Sequence, residues 1–286
     1  MTPRQGIPEN PGPMSSAPSP TAGSPPAGRD ADHGFRWRSH EITRVEGFSD
    51  AVFAFAVTLL VVSLEVPETF HALRESMQGF IAFALGFVLL FWVWYNQYIF
   101  FRRYALRDGW TLTLNGALLF VVLFFVYPLK FLFVTIIRMI AGRDTRVAMP
   151  DGSLHPAIGP GESVPLMVIY GAGYAAIFAI FWLLYRHALK KKEALHLDEV
   201  ELLLTSATQR GHLLNVAIAA VSILVVLIGG DRWSGIAGFT YILVGPLMTL
   251  NGILAGRSLR RHEAKRTAAA GAAPGPPASQ EPTTKP

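Results

Sequence analysis

RVEGFSDAVFAFAVTLLVVSLEVP, Arg44 to Pro67, is the stretch from which the fold is read. It has the apolar length of a membrane span, yet it opens with Arg44, Glu46, Ser49 and Asp50 and then carries no charge from Ala51 to Leu64. An aspartate one turn inside an apolar helix is costly in lipid and marks a pathway or an internal partner. At about 100° per residue, Arg44, Phe48, Ala51, Phe55, Thr58, Leu59 and Val62 fall on one stripe. Asp50 projects to nearly the opposite side and Ser49 lies well off the stripe, so Arg44 and Asp50 cannot pair within this helix. The stripe is a candidate wall, and Ser49 with Asp50 is a candidate clasp onto helices behind it.

The rest of the chain is of the same kind. Of 286 residues, 51% are hydrophobic and only 16% charged, and the charges gather between long apolar runs. That distribution predicts an all-α, polytopic membrane protein in contact with the lipid bilayer. A net charge of +5 could suggest nucleic acid, but the basic residues sit beside apolar runs, as cytoplasmic loops do under the positive-inside rule. No nucleic-acid partner is expected. Cysteine is absent, which excludes disulfides, thiolate metal sites and cysteine nucleophiles.

Six runs can be followed in order. Residues 1–34 are rich in Pro, Ser, Gly and Ala and are predicted to be a disordered tail; Arg36, Trp37, Arg38 and His40 then form a basic aromatic lead-in suited to the headgroup layer. The first span ends near Leu64. The second, Ala72 to Phe101, closes on an aromatic belt and Arg102 and Arg103; Asn96 and Gln97 just inside it are either interfacial residues or the internal partners that Ser49 and Asp50 need. The third, Thr111 to Ile140, contains Asn115, Lys130 and Pro128, which breaks or kinks it. A polar connection, Gly142 to Gly161, has no periodicity. The fourth run, Pro165 to His187, contains YGAGY at Tyr170 to Tyr174, which is not a TVGYG filter and whose small residues instead let helices approach. Glu193 to Arg210 is predicted to be a cytoplasmic linker helix. The fifth run, His212 to Ile228, turns at Gly229, Gly230 and Asp231 into the sixth, Gly235 to Ala255. Six spans put both termini on the side of the basic clusters, hence in the cytoplasm. The domain boundaries are predicted as 35–261 for the membrane unit, with 262–286 a second disordered tail.

Enzyme chemistry has no convergent residues here. The histidines lie at span ends or in tails, without HExxH or GxSxG, and no cofactor or metal is implied. A coupled transporter commonly carries several mid-membrane carboxylates, whereas Asp50 stands nearly alone. Lipid-facing or core packing is the bland account of the stripe. A proton- or solute-coupled membrane transporter and a non-conducting membrane scaffold are the alternatives to a channel.

The string Arg44-Val45-Glu46-Gly47-Phe48-Ser49-Asp50 followed by AVFAFAVTLLVV resembles the RxxxFSD first helix of the transmembrane protein 175 family, endolysosomal and prokaryotic potassium channels without a TVGYG filter. The resemblance extends through the aromatic end of the second run and through Asn115 and Pro128. It implies a homotetramer passing K+ ions through a pore lined by first helices, with passive, potassium-preferring conduction past a hydrophobic constriction. By position the constriction falls on Phe55, with Leu59 and Val62 further along, and the selectivity threonine on Thr58. Arg44, Ser49 and Asp50, with Phe48, would form the structural network at the head of the helix. Two departures stand out: Phe55 replaces the usual isoleucine or leucine, and Tyr95, beside Asn96, replaces a second-helix histidine in that network.

Overall fold

The apolar runs become helices, because in lipid only a helix satisfies every backbone group within one segment. The computed structural model describes residues 35–39, 41–62, 69–142, 145–148 and 152–271. Helix α1 is Arg44–Val62, α2 Phe70–Tyr104, α3 Gly109–Ile140, α4 Ser163–Lys190 and α5 Glu199–Gly229; a short α6, Ser234–Phe239, and α7, Val244–Gly271, complete the order. Among the described residues four helical stretches are long and apolar enough to cross a membrane: Gly79–Tyr104, Gly109–Ile140, Ser163–Lys190 and Glu199–Lys265.

The chain doubles back inside the last of these. Gly230 takes φ +60°, a region in which side chains are strained, and ends α5. Beyond it α6 and α7 return along α5: the Ser222 hydroxyl donates to the Ala237 carbonyl at 2.8 Å and the Asn251 amide to that of Ala207 at 2.9 Å. The predicted sixth span is therefore not one helix. It is α6, a 3-10 turn at Thr240–Leu243, and α7, with Pro246 in the first turn, where its missing N–H leaves no bond unmade. The predicted linker helix is corrected as well. A capping box between Asp198 and Glu201 starts α5, which runs without interruption into the fifth run.

Close approach of α4 to its neighbours follows from its small residues. A Cβ on Gly173 would lie 2.1 Å from the Phe125 ring of α3, and one on Gly171 2.7 Å from Ile223 of α5. α3 continues through Pro128, and the Tyr170 hydroxyl of α4 donates to the Pro128 carbonyl. The connection before α4 is not structureless. It holds a small antiparallel hairpin, β1 Arg146–Ala148 and β2 Leu154–Pro156, with Val147 opposite His155.

The two ends of the bundle differ in charge. One carries the hairpin and the Gly230 turn, where the Gly161 N–H donates to Asp231. The other gathers Arg36, Arg38, Arg102, Arg103 and Lys191, and α7 joins it through His262 against Glu199. The segment 35–39 at this end, predicted as a lead-in suited to the headgroup layer, makes specific bonds to the helices. It is a strap bound into the protein. Arg38 forks onto Glu201, Nη2 to Oε2 at 2.6 Å and Nη1 to Oε1 at 3.1 Å, and Glu201 is fully buried. Phe35 packs edge-on against Tyr104, and the Arg102 guanidinium donates to the Ser39 carbonyl at 2.8 Å while lying over the Trp37 ring. α7 extends past the predicted boundary at Arg261 to Gly271; residues 1–34 and 272–286, predicted as tails, lie outside the described residues.

Candidate functional site

α1 begins with a reciprocal cap. The Glu46 N–H donates to Thr43 Oγ1 at 3.2 Å and the Thr43 N–H to Glu46 Oε2 at 2.8 Å, satisfying two donors that an open helix end would waste. From there the helix has two unlike sides. Ser49, Phe53, Ala56 and Leu60, at helical spacing, are buried against α2 and α3. Arg44, Phe48, Ala51, Phe55, Thr58 and Leu59 are all exposed. Phe55 keeps 57% and Leu59 41% of its surface open. The predicted stripe is thus a face that nothing within the described chain covers. Val62, the last member, ends α1, and its side chain lies outside the described residues.

Thr58 has a definite orientation. Its hydroxyl donates to the Ala54 carbonyl at 2.9 Å, which occupies its one proton and leaves the oxygen lone pairs on the open face. A bare oxygen among apolar side chains can meet a cation but cannot meet an anion on equal terms.

Behind this face lies a buried polar relay. Gln97 Nε2 donates to Asn115 Oδ1 at 2.6 Å, Asn115 Nδ2 to Ser49 Oγ at 3.0 Å, and Ser49 Oγ to the Val45 carbonyl at 2.8 Å. One side chain each from α2, α3 and α1 therefore fixes the head of α1 to its neighbours. Asp50 is outside this relay. It sits at the edge of the packed side and accepts from Trp94 Nε1 at 2.7 Å, so the expectation of an Asp50 fully buried in the clasp is corrected to an exposed carboxylate held by one indole.

Two predicted members of the network are likewise corrected. Tyr95 is 43% exposed, and Asn96 donates to the Trp92 carbonyl of its own helix at 2.8 Å. The reason is register: Leu90, Val93, Gln97, Phe100 and Tyr104 recur at helical spacing and form the buried side of α2, which turns Tyr95 and Asn96 away. Gln97 interrupts that apolar series, and this is the signal by which it could have been chosen over its neighbours. Arg44 is exposed and makes no ion pair among the described residues; it borders a recess of about 260 Å³ with Phe48, Leu112 and Asn115.

Trp94 belongs to a ladder of rings along α2: Phe80, Phe83, Phe87, Phe91, Trp94 and Tyr98, with centroids 5.3–6.2 Å apart. In contact along the helix, some stacked and some tilted, they form one side of a groove between α1 and α2 whose other side is Ala54 and Val57. At the charged end the ladder meets Arg102, which lies over the Tyr98 ring and donates to its oxygen at 3.1 Å. No group of three or more potential metal ligands occurs among the described residues.

Residues 44–128 match the family model for the endosomal/lysosomal potassium channel TMEM175. A potassium channel of Marivirga tractuosa is 40% identical over 230 residues, spanning 79% of this chain and 93% of that protein. The chain belongs to the TMEM175 family. A potassium channel of Chamaesiphon minutus is 29% identical over 158 residues, covering 52% of this chain and 66% of the relative. Among solved structures, a variant of the potassium channel MtTMEM175, bound to a nanobody–MBP fusion, superimposes with a TM-score of 0.68 at 38% identity, covering 78% of this chain and 97% of that one. The TMEM175 match begins at Arg44, the first residue of α1, and runs through Asn115 of the relay to Pro128.

Proposed function

We propose that the chain is a passive cation channel that prefers potassium, formed by four copies around a pathway lined by the open face of α1. The observation that carries this reading is the exposed stripe on α1, Phe48 to Leu59, in a chain whose relatives are named potassium channels. An apolar face at the head of a membrane protein must be covered by lipid or by other copies. The bare Thr58 oxygen suits the second, because it serves a cation in transit and does nothing for a lipid tail.

In this reading the chain crosses six times: once by α1, once by each of the first three apolar stretches, and twice within the fourth, out along α5 and back along α6–α7. Both described ends then lie at the basic end, facing the cytoplasm. The rings of Phe55, Leu59 and Val62 form an apolar constriction that empties of water when narrow and so blocks ions, which cannot shed hydration where no donor or acceptor replaces it. Widening readmits water and current. Thr58, one turn beyond Phe55, offers four oxygens to a partly dehydrated ion. Ser49, Asn115 and Gln97 hold the helices at the mouth while Asp50 stays off the pathway.

The experiment is potassium efflux from liposomes loaded with KCl and bearing the purified protein. A passive channel dissipates a potassium gradient without a pH gradient or second solute, and sodium replaces potassium poorly. Flux that requires a proton or sodium gradient identifies a coupled transporter, and tight vesicles with intact protein identify a scaffold. Either result overturns the proposal.

A further inference from the structure

A second cavity lies far from α1, at the end of the bundle that carries the hairpin. It has a volume of about 640 Å³ and is walled by α3, by α4 and by the hairpin. That is within the range of about 300–1,000 Å³ in which proteins hold small molecules. Its chemistry is graded. Phe131, Val134 and Ile169 give it apolar walls, and Arg138 with Thr145 stands toward the hairpin. Lys130, Val134 and Arg138 follow one another at four-residue steps, so they share one face of α3, and Arg138 lies about 12 Å along the axis from Lys130.

We propose that this cavity binds one anionic phospholipid, with an acyl chain between α3 and α4 and its phosphate against Arg138. The position selects a lipid: the apolar walls belong to two helices long enough to cross a membrane, so the occupant of the cavity is drawn from the bilayer. Depth selects the headgroup. Arg138 is exposed two residues before α3 ends at Ile140, toward the end of the helix, where a charged side chain can reach the headgroup layer. Charge selects the sign. Arg138 lines the cavity and none of the described lining residues is a carboxylate, and a guanidinium matches a phosphate with two parallel hydrogen bonds. A zwitterionic lipid fits the same walls but brings its own cation to a basic rim.

Native mass spectrometry of the detergent-solubilised protein tests this, with phosphatidylglycerol and phosphatidylcholine of matched chains added in turn. The parent retains phosphatidylglycerol over phosphatidylcholine, and Arg138→Gln lowers that retention about fivefold, the factor for one cation lost beside an anionic headgroup. Val134→Trp, which fills the cavity, lowers retention of both lipids, whereas Arg186→Gln, whose guanidinium lies over the Trp182 ring instead, changes neither. Equal retention of the two lipids by the parent, a charge preference that survives Arg138→Gln, or no retained lipid at all, as a second copy of the chain seated there would give, overturns the assignment. Arg138 is exposed, so its replacement leaves the fold intact, and Val134→Trp supplies an independent test of the cavity.

Discussion

Phe55 is a large apolar side chain left more than half open on a helix whose other side is packed to within a few per cent. If it closes a pathway, Phe55→Ala raises cation flux and blunts potassium preference, while Val57→Ala, on the side of the α2 groove, does neither; liposome flux reads both. If it is instead buried between copies only for packing, the same substitution costs about 3–5 kcal/mol and brings no flux. The relay behind the face yields a second prediction. Asn115→Leu leaves the Gln97 amide buried without a partner, which costs about 1–3 kcal/mol in thermal unfolding of the solubilised protein. Adding Gln97→Leu restores much of that loss, since both polar partners are then gone. The sequence made half of this visible. Ser49 was legible because it lies off the stripe at the head of an apolar helix. Gln97 was not separated from Asn96, because one residue of register on α2 decides which of two adjacent amides faces inward, and polarity alone does not carry that information.

Among the elements, the strap at residues 35–39 has an unusual share of the polar bonds at its end of the bundle. Glu201 is fully buried and its main cation is Arg38, so Arg38→Ala strands a carboxylate and lowers stability by about 3–5 kcal/mol, measured by thermal unfolding. A second tie joins the start of α3 to the end of α4: Asp108 accepts from the Thr111 hydroxyl at 2.8 Å, meets His187 Nε2 at 2.8 Å and lies 3.5 Å from Lys191. Burial works to raise the Asp108 carboxyl, but the Thr111 hydroxyl, His187 and Lys191 outweigh it and hold it below the usual carboxylate range. A depressed carboxyl stabilises fully above its unfolded pKa, near 3.9, and stops doing so as pH falls through the folded value. The stability gap between the parent and Asp108→Asn is therefore present at about pH 5 and closes on acidification below about pH 4, which thermal melts across that range measure. Hydropathy marked the long helices because each is a continuous apolar run. It could not mark the strap, whose Arg and Trp residues read equally well as headgroup anchors, nor the hairpin, whose three-residue strands are too short to show alternation. The fusion of the linker with α5 was hidden by the charges of its first turns, which serve a capping box and not a loop.

For the whole molecule, the charged end and the hairpin end fix an orientation to be checked. The chain has no cysteine, so His155→Cys places a single thiol in exposed β2. A membrane-impermeant maleimide applied to intact cells labels it if the basic end is cytoplasmic, and labelling only after lysis reverses the topology. The six passes were read from the apolar runs, whereas the expected four-fold assembly and the K+ preference came from the family resemblance, because assembly between copies leaves no pattern in the hydropathy of one chain. The strap also bears on how such a pathway could widen. Four residues separate Ser39, held by Arg102, from Arg44 at the start of α1, so the foot of α1 is moored close to the strap. If α1 shifts against α2 and α3, a helix moored at its foot tilts about that end. Phe55 stands about 16 Å up that lever, so a tilt of about 5° carries its ring roughly 1.4 Å sideways. In the proposed four-fold assembly, four such levers leaning apart would widen the aperture by about 3 Å across, the diameter of a water molecule, with no helix unwinding.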